Sequence, residues 1–301
     1  MKRIDLHIHT NVSDGAFSPK EVIDEAVRNN VSVIAISDHD TVDAYNEDLF
    51  LYAKSKNIQL INAVEISTKW EKCGIHVLGY NFDLNDKSFR ESLYKLRNIR
   101  HIYLYDVAEK LNELGYYLNV EELDKIEAVT KAHIALDAVN CEKNKEKLLN
   151  DFGHIPTKGE FIETIMNEGC PAYVKKNTCT PCEAAEIIRR AGGKVVLAHP
   201  IAYANEDGLT EDDIQKIVDD MKPDGIEAYY FHTDCNNQRH DESERWCEFA
   251  KRNGLFVTVS SDFHFKDGIR PEIGLVNTDL KLDNDVVDEM IRNIIEWFKL
   301  L

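Results

Sequence analysis

Two stretches, Val33-Ile34-Ala35-Ile36 and Val195-Val196-Leu197, are apolar at every position, and nothing else in the chain constrains its fold so tightly. A strand turns alternate side chains to opposite faces, so an all-apolar strand has to be covered on both. Strands of this kind belong to parallel sheets walled by helices. Short β-branched runs recur at residues 4–9, 31–37, 59–66, 75–80, 194–198, 225–229 and 255–260, with helical segments between them. Ser18-Pro19 supplies a cap and a first-turn proline for one such helix, expected to run to about Asn29-Asn30. Alternation of strand and helix points to an α/β fold, a closed or nearly closed β/α barrel of seven strands.

The rhythm breaks between about Asp83 and Gly169, where no strand is convincing. Leu93, Leu96, Val107, Leu111 and Leu114 recur at helical spacing, and Gly115 is a fitting stop. Shorter helical pieces are expected at 121–126, 131–141 and 158–167. This stretch reads as a helical insertion over the barrel mouth. The expected organisation is therefore barrel over 1–83, helical cap over 84–170 and barrel again over 171–301.

At 301 residues and 43% hydrophobic, the chain has ample material for such a core. No apolar run approaches a membrane span. Met1-Lys2-Arg3 leads at once into Asp5, His7 and His9 rather than an apolar run, so a cytoplasmic location is expected. Seven scattered cysteines suit reduced thiols. The formal net charge of -18 disfavours broad binding to nucleic acid, yet bound divalent cations would invert the field locally and admit a small phosphorylated substrate. The blocks Glu206-Asp207, Glu211-Asp212-Asp213 and Asp241-Glu242-Ser243-Glu244 read as solvated faces.

The chemistry begins at Asp5-Leu6-His7-Ile8-His9, where His7 and His9 have same-face spacing on a strand. Asp14 follows in a polar loop. The second strand ends in Asp38-His39, the third in Val64-Glu65-Ile66-Ser67, and His76 lies in the fourth. The fifth ends in His199-Pro200 and the seventh in Asp262-Phe263-His264. Six of the eleven histidines thus fall in or at the ends of expected strands, where the catalytic residues of β/α barrels gather. A carboxylate inside an apolar strand, as Glu65 is, needs a cation or hydrogen bonds to offset its burial. Mixed imidazole and carboxylate donors suit Zn, Mn or Fe. Nine candidate ligands exceed what one ion needs, so two or three divalent ions are expected, with Glu65 the best bridging candidate. Closely spaced metals suit phosphoryl displacement by water. No GxSxG, Walker A or GxGxxG sequence is present. Cys179-Thr180-Pro181-Cys182 is a lone CxxC whose Pro181 is placed to start a helix.

These positions together, His7-x-His9, Asp14, Asp38-His39, Glu65, His76, His199-Pro200 and Asp262-x-His264, resemble the PHP (polymerase and histidinol phosphatase) family. The resemblance implies a distorted seven-stranded TIM-like barrel with a two- or three-metal site. By analogy, His7, His9, Glu65 and Asp262 hold one ion, Glu65, His76 and His199 a second, and Asp14, His39 and His264 a third. Asp14, His39, Glu65, His199 and His264 are then the catalytic set. Val64-Glu65-Ile66-Ser67, Pro171-Ala172-Tyr173-Val174, Ala191-Gly192-Gly193 and Ser261-Asp262-Phe263-His264 are similar to the stand-alone branch. Its members act on 3′,5′-nucleotide bisphosphates and on the 5′ ends of short RNA. That branch usually carries Arg-Pro-His in the insertion; Lys131-Ala132-His133 stands here, which keeps the charge but loses the bidentate fork. Arg97, Arg100, Lys131, His133 and Asn177 are the candidate substrate contacts.

The expected function is hydrolysis of a phosphate monoester on a nucleotide-like substrate, with no membrane and no stable protein partner inferable. The alternatives are a phosphatase for another metabolite such as histidinol phosphate, and a PHP module without catalysis.

Overall fold

In the computed structural model, which describes residues 3–126, 128–175, 177–234, 237–280 and 284–299, the apolar runs pair into one sheet. The strands are β1 (Arg3–Ile8), β2 (Val31–Ile36), β3 (Gln59–Trp70), β4 (Cys73–Tyr80), β5 (Lys194–Leu197) and β6 (Gly225–Tyr229). A polar hairpin of β7 (Phe231–Thr233) and β8 (Arg239–Asp241) stands apart, and β9 (Phe256–Val259) returns to the main sheet. Its order is β1-β2-β3-β4-β5-β6-β9. Pairing is parallel except at β4, which runs antiparallel to both β3 and β5. Just past the two edge strands, His9 N–H donates to the Phe263 carbonyl at 2.9 Å.

Covering helices begin as their sequences dictate. Ser18 Oγ accepts from Glu21 N–H while the Glu21 carboxylate accepts from Ser18 N–H, and Pro19 follows at the first helical position of Pro19–Arg28. Thr180 and Glu183 repeat this at Pro181–Arg190, so Pro181 of the CxxC starts a helix as expected. Ile4, Leu6, Val33, Ala35, Ala63, Leu78, Tyr80, Val196 and Val259 form one buried cluster within the sheet unit. Tyr80 keeps its hydroxyl satisfied there by donating to the Leu6 carbonyl at 2.8 Å.

The chain divides into two compact units, Met1–Ser92 with Cys179–Leu301, and Leu93–Thr178. The second is helical and has its own core, in which Leu104, Val107, Leu111, Ile134, Leu148, Phe161 and Met166 are buried. The helix Lys87–Glu113, most of which belongs to this unit, ends where Gly115 takes φ +85, letting Tyr116 N–H reach back to the Leu111 carbonyl at 2.8 Å. Among the described residues no helix is long and apolar enough to cross a membrane.

Candidate metal centre

β1 delivers His7 and, one residue past its end, His9, both fully buried, with their Nε2 atoms 3.0 Å apart. The polar loop beyond is pinned by Asp38, whose carboxylate accepts from Thr10 N–H (2.7 Å), Thr10 Oγ1 (2.7 Å) and Ser13 Oγ (2.6 Å). Asp38 therefore works as a brace, and the loop it holds presents Asp14. His39, beyond β2, bridges to Glu65 of β3, where Asp40 N–H donates to the Glu65 carbonyl at 2.9 Å. His76 of β4 stands opposite Ser67 in register. His199 follows β5, and Asp262 and His264 follow β9.

The side chains converge. Glu65 Oε2 lies 3.4 Å from His7 Nε2, 3.2 Å from His9 Nε2 and 3.0 Å from His39 Nδ1. Its Oε1 lies 2.9 Å from His76 Nδ1 and 3.2 Å from His199 Nε2. Asp262 Oδ1 approaches His7 and His9 at 3.4 and 3.3 Å. Asp14 faces His9, His39 and His264 at 3.5, 3.6 and 3.4 Å. Four overlapping groups result: His9, Asp14, His39 and His264; His7, His9 and Asp262; His7, Glu65 and His199; His39, Glu65 and His76.

Backbone strain accompanies this convergence. Asp40, His199 and Asp262 have φ of 52, 20 and 49, a region non-glycine residues seldom enter. His199 takes this backbone directly before Pro200, which opens the helix Pro200–Glu206.

The electrostatics are those of a site built for cations. Burial alone would lower His7, but the Glu65, Asp262 and Glu227 carboxylates hold it well above the usual imidazole value. Burial likewise opposes charging of His9, yet Asp262, Glu65 and Asp14 push it up to about 10. Burial would raise Glu65, and His76, His7 and His39 hold it well below the carboxylate range instead. His39 and His264 overcome burial at Asp14 in the same way, as His7, His264 and His9 do at Asp262.

The donor set fits divalent metal. Ligands bonded to one cation at about 2.0–2.2 Å are separated from each other by about 3 Å or slightly more, which is the spacing of these atoms. Among the described residues no lysine or arginine lies within ion-pair distance of Asp14, Glu65 or Asp262. His199 Nδ1 is buried with no hydrogen-bond partner.

Glu227 of β6, fully buried, was not among the expected site residues. Its carboxylate lies 3.2 Å from His7 Nδ1 and accepts from His199 N–H at 3.0 Å. A proton on His7 Nδ1 leaves Nε2 as the lone-pair donor facing the cluster. The Asp262 carbonyl fixes His264 similarly, accepting at 2.9 Å from Nδ1. The signal was present in Gly225-Ile226-Glu227-Ala228, a carboxylate in an apolar strand, the reasoning already applied to Glu65. Asp5 is a second such case; it accepts from Ser261 N–H (3.0 Å) and Gly274 N–H (2.6 Å), and burial pushes it up to about 6.

The candidate substrate contacts lie in the helical unit. Arg100 is buried and donates to the Val129 carbonyl at 3.3 Å. Lys131 Nζ donates to Asn167 at 3.1 Å, and His133 Nδ1 accepts from Thr130 N–H at 3.1 Å, closing a helix cap. Arg97 is half-buried and Asn177 exposed.

A mostly parallel sheet with imidazoles and carboxylates clustered at its strand ends defines a metal-dependent hydrolase. The PHP domain signature matches residues 5–163, and the chain belongs to the PHP domain family, as a hydrolase of phosphoester bonds. A "5′-3′ exoribonuclease" of Haemophilus influenzae is 33% identical over 273 residues, spanning 89% of this chain and 92% of its own length. A "3′,5′-nucleoside bisphosphate phosphatase" of Chromobacterium violaceum is 26% identical over 275 residues, spanning 88% of each chain. A solved structure from Bifidobacterium adolescentis, described as a metal-dependent phosphoesterase, shares the fold with TM-score 0.72 at 20% identity, covering 96% of this chain and 95% of that one.

Proposed function

We propose that the protein hydrolyses a phosphate monoester of a nucleotide-like substrate, a 3′,5′-nucleotide bisphosphate or a short 5′-phosphorylated oligonucleotide. Two or three divalent ions, Mn, Zn or Fe, would be held by His7, His9, Asp14, His39, Glu65, His76, His199, Asp262 and His264. The observation that carries this reading is the sharing of residues between ligand groups: Glu65 enters two, with both of its carboxylate oxygens facing imidazoles, and His7, His9 and His39 each enter two. Neighbouring cations that share a ligand are close enough to grip one phosphoryl group. Divalent ions there supply charge neutralisation for that group and acidify water for attack. Glu227 and the Asp262 carbonyl orient His7 and His264, and Asp38 braces the loop that presents Asp14.

The reading includes closure of the sheet into a distorted seven-stranded barrel, with the bonded pair His9 and Phe263 as its seam. It also includes barrel segments at 1–83 and 171–301 around a helical insertion at 84–170, a cytoplasmic location, and substrate contacts by Arg97, Arg100, Lys131, His133 and Asn177. The substrate assignment is supported by relatives named for nucleotide bisphosphate and RNA.

The test is a rate comparison, with Mn added, among adenosine 3′,5′-bisphosphate, a 5′-phosphorylated trinucleotide RNA and histidinol phosphate. A kcat/KM for one of the first two at least tenfold above histidinol phosphate is expected. Preference for histidinol phosphate would overturn the substrate reading while leaving the metal centre intact.

A further inference from the structure

One cavity of the sheet unit shares a wall with the metal centre and is not used by the ligand set. Glu206, Tyr230, His232, Thr233 and Arg270 line it together with Asp262. Tyr230 joins the two, its hydroxyl 3.4 Å from Asp262 Oδ2. A molecule with one end at Asp262 therefore has this space for its remainder.

Arg270 is the distinctive group. In a chain with 54 acidic and 36 basic residues, an exposed guanidinium finds a carboxylate easily. Arg190, Arg239, Arg245 and Arg252 of the same unit each hold one within 3.2 Å. Among the described residues, Arg270 meets a carboxylate only at Asp267, through Nε at 3.9 Å, and no acceptor lies on its two terminal nitrogens. The loop that carries it is held: Asp267 Oδ1 accepts from the backbone N–H groups of Ile269 and Arg270, each at 2.8 Å, and the guanidinium sits 5.8 Å from the centre of the Phe265 ring.

A second donor in the same wall is unused. Thr233 Oγ1 is buried and has no hydrogen-bond partner. A guanidinium fork with its terminal nitrogens uncommitted and an unsatisfied hydroxyl are groups that bind a phosphate oxyanion. Glu206, at the rim with its side chain 65% exposed, offers the complementary acceptor for a hydroxyl or amine of the same molecule.

We propose that this cavity takes the non-reacting phosphate of a bisphosphorylated nucleotide, with Arg270 and Thr233 as its donors. The assignment rests on the nucleotide reading above and places the second-phosphate contact in the sheet unit. It separates two substrates by chemistry: a bisphosphate uses the cavity, and a simple aryl monophosphate does not.

The test compares adenosine 3′,5′-bisphosphate with 4-nitrophenyl phosphate on the metal-loaded protein. Arg270→Ala is expected to raise KM for the bisphosphate about tenfold or more while leaving both constants for 4-nitrophenyl phosphate within about twofold. Arg270→Lys should recover part of the loss, because charge returns without the fork. Thr233→Val, which keeps shape and removes the donor, should raise KM for the bisphosphate about fivefold. Equal effects of Arg270→Ala on both substrates, or none on either, would overturn the assignment alone. A wild-type protein that hydrolyses 4-nitrophenyl phosphate but not the bisphosphate would overturn the nucleotide reading and this assignment with it.

Discussion

Two imidazole nitrogens held 3.0 Å apart in a fully buried place, His7 Nε2 and His9 Nε2, would repel if both were protonated. Carboxylates on Glu65 and Asp262 press both rings toward the charged form all the same. A shared cation resolves that conflict, since it takes lone pairs from the rings and charge from the carboxylates. The ring must then present the correct nitrogen, and Glu227 decides this for His7. Glu227→Gln keeps the shape and removes the charge that favours a proton on Nδ1. We expect it to fold normally and to lose about 10–100-fold in metal affinity or turnover. Wild-type affinity and kcat in that variant would remove Glu227 from the centre. At this scale His7, His9, Asp262, His264 and Glu65 stood out because HxH, DxH and a carboxylate in an apolar strand are visible as spacing, while Asp14, His39, His76 and His199 were marked by their places in or beside the expected strands. Glu227 carries the same strand signal as Glu65. The burial of Arg100 against a carbonyl and the capping contact of half-buried His133 were not legible, because neither leaves a mark in the sequence.

The elements position these side chains through features with mixed visibility. The seven sheet strands fall where β-branched apolar runs lie, since burial on both faces demands such residues. The reversal of β4 was not legible: hydrophobic alternation carries no strand direction. β3 also continues to Trp70, past its apolar run, because a hairpin with Cys73 extends the pairing. The three-residue strands β7 and β8 are polar and too short to show a period. The loop between β1 and the first helix is an element with a specific requirement. A Cβ on Gly15 would stand 2.4 Å from the His9 carbonyl oxygen and 2.8 Å from Thr10 N, both backbone atoms that cannot step aside. Gly15→Ala should therefore displace Asp14 from His9, His39 and His264. We expect at least one metal ion fewer per chain by elemental analysis and about tenfold or greater loss of kcat, with the fold retained. A full metal complement with unchanged kcat would show that the loop adapts.

Across the whole molecule, a chain with a formal charge of -18 gathers acidic groups and imidazoles at one end of a sheet, where among the described residues no lysine or arginine pairs with Asp14, Glu65 or Asp262. That arrangement turns a surface unfriendly to phosphate into one that binds it, on condition that cations are present. The stretch without strands, read from the sequence as 84–170, overlaps the compact helical unit Leu93–Thr178. Where that unit begins was not legible, because the helix Lys87–Glu113 runs unbroken across the division and periodicity does not change there. The cavity beside Asp262 was not legible, since Arg270 sits in a loop whose sequence shows neither a motif nor a period. The measurement that bears most directly on the account is metal content by elemental analysis, paired with hydrolysis of 4-nitrophenyl phosphate on the same samples, for the native, chelated, Mn-restored and His9→Ala proteins. Two or three ions per native chain are expected, with turnover lost on chelation, regained with Mn, and both lost in His9→Ala. Undiminished turnover in a chelated sample holding less than one ion in ten chains would contradict it.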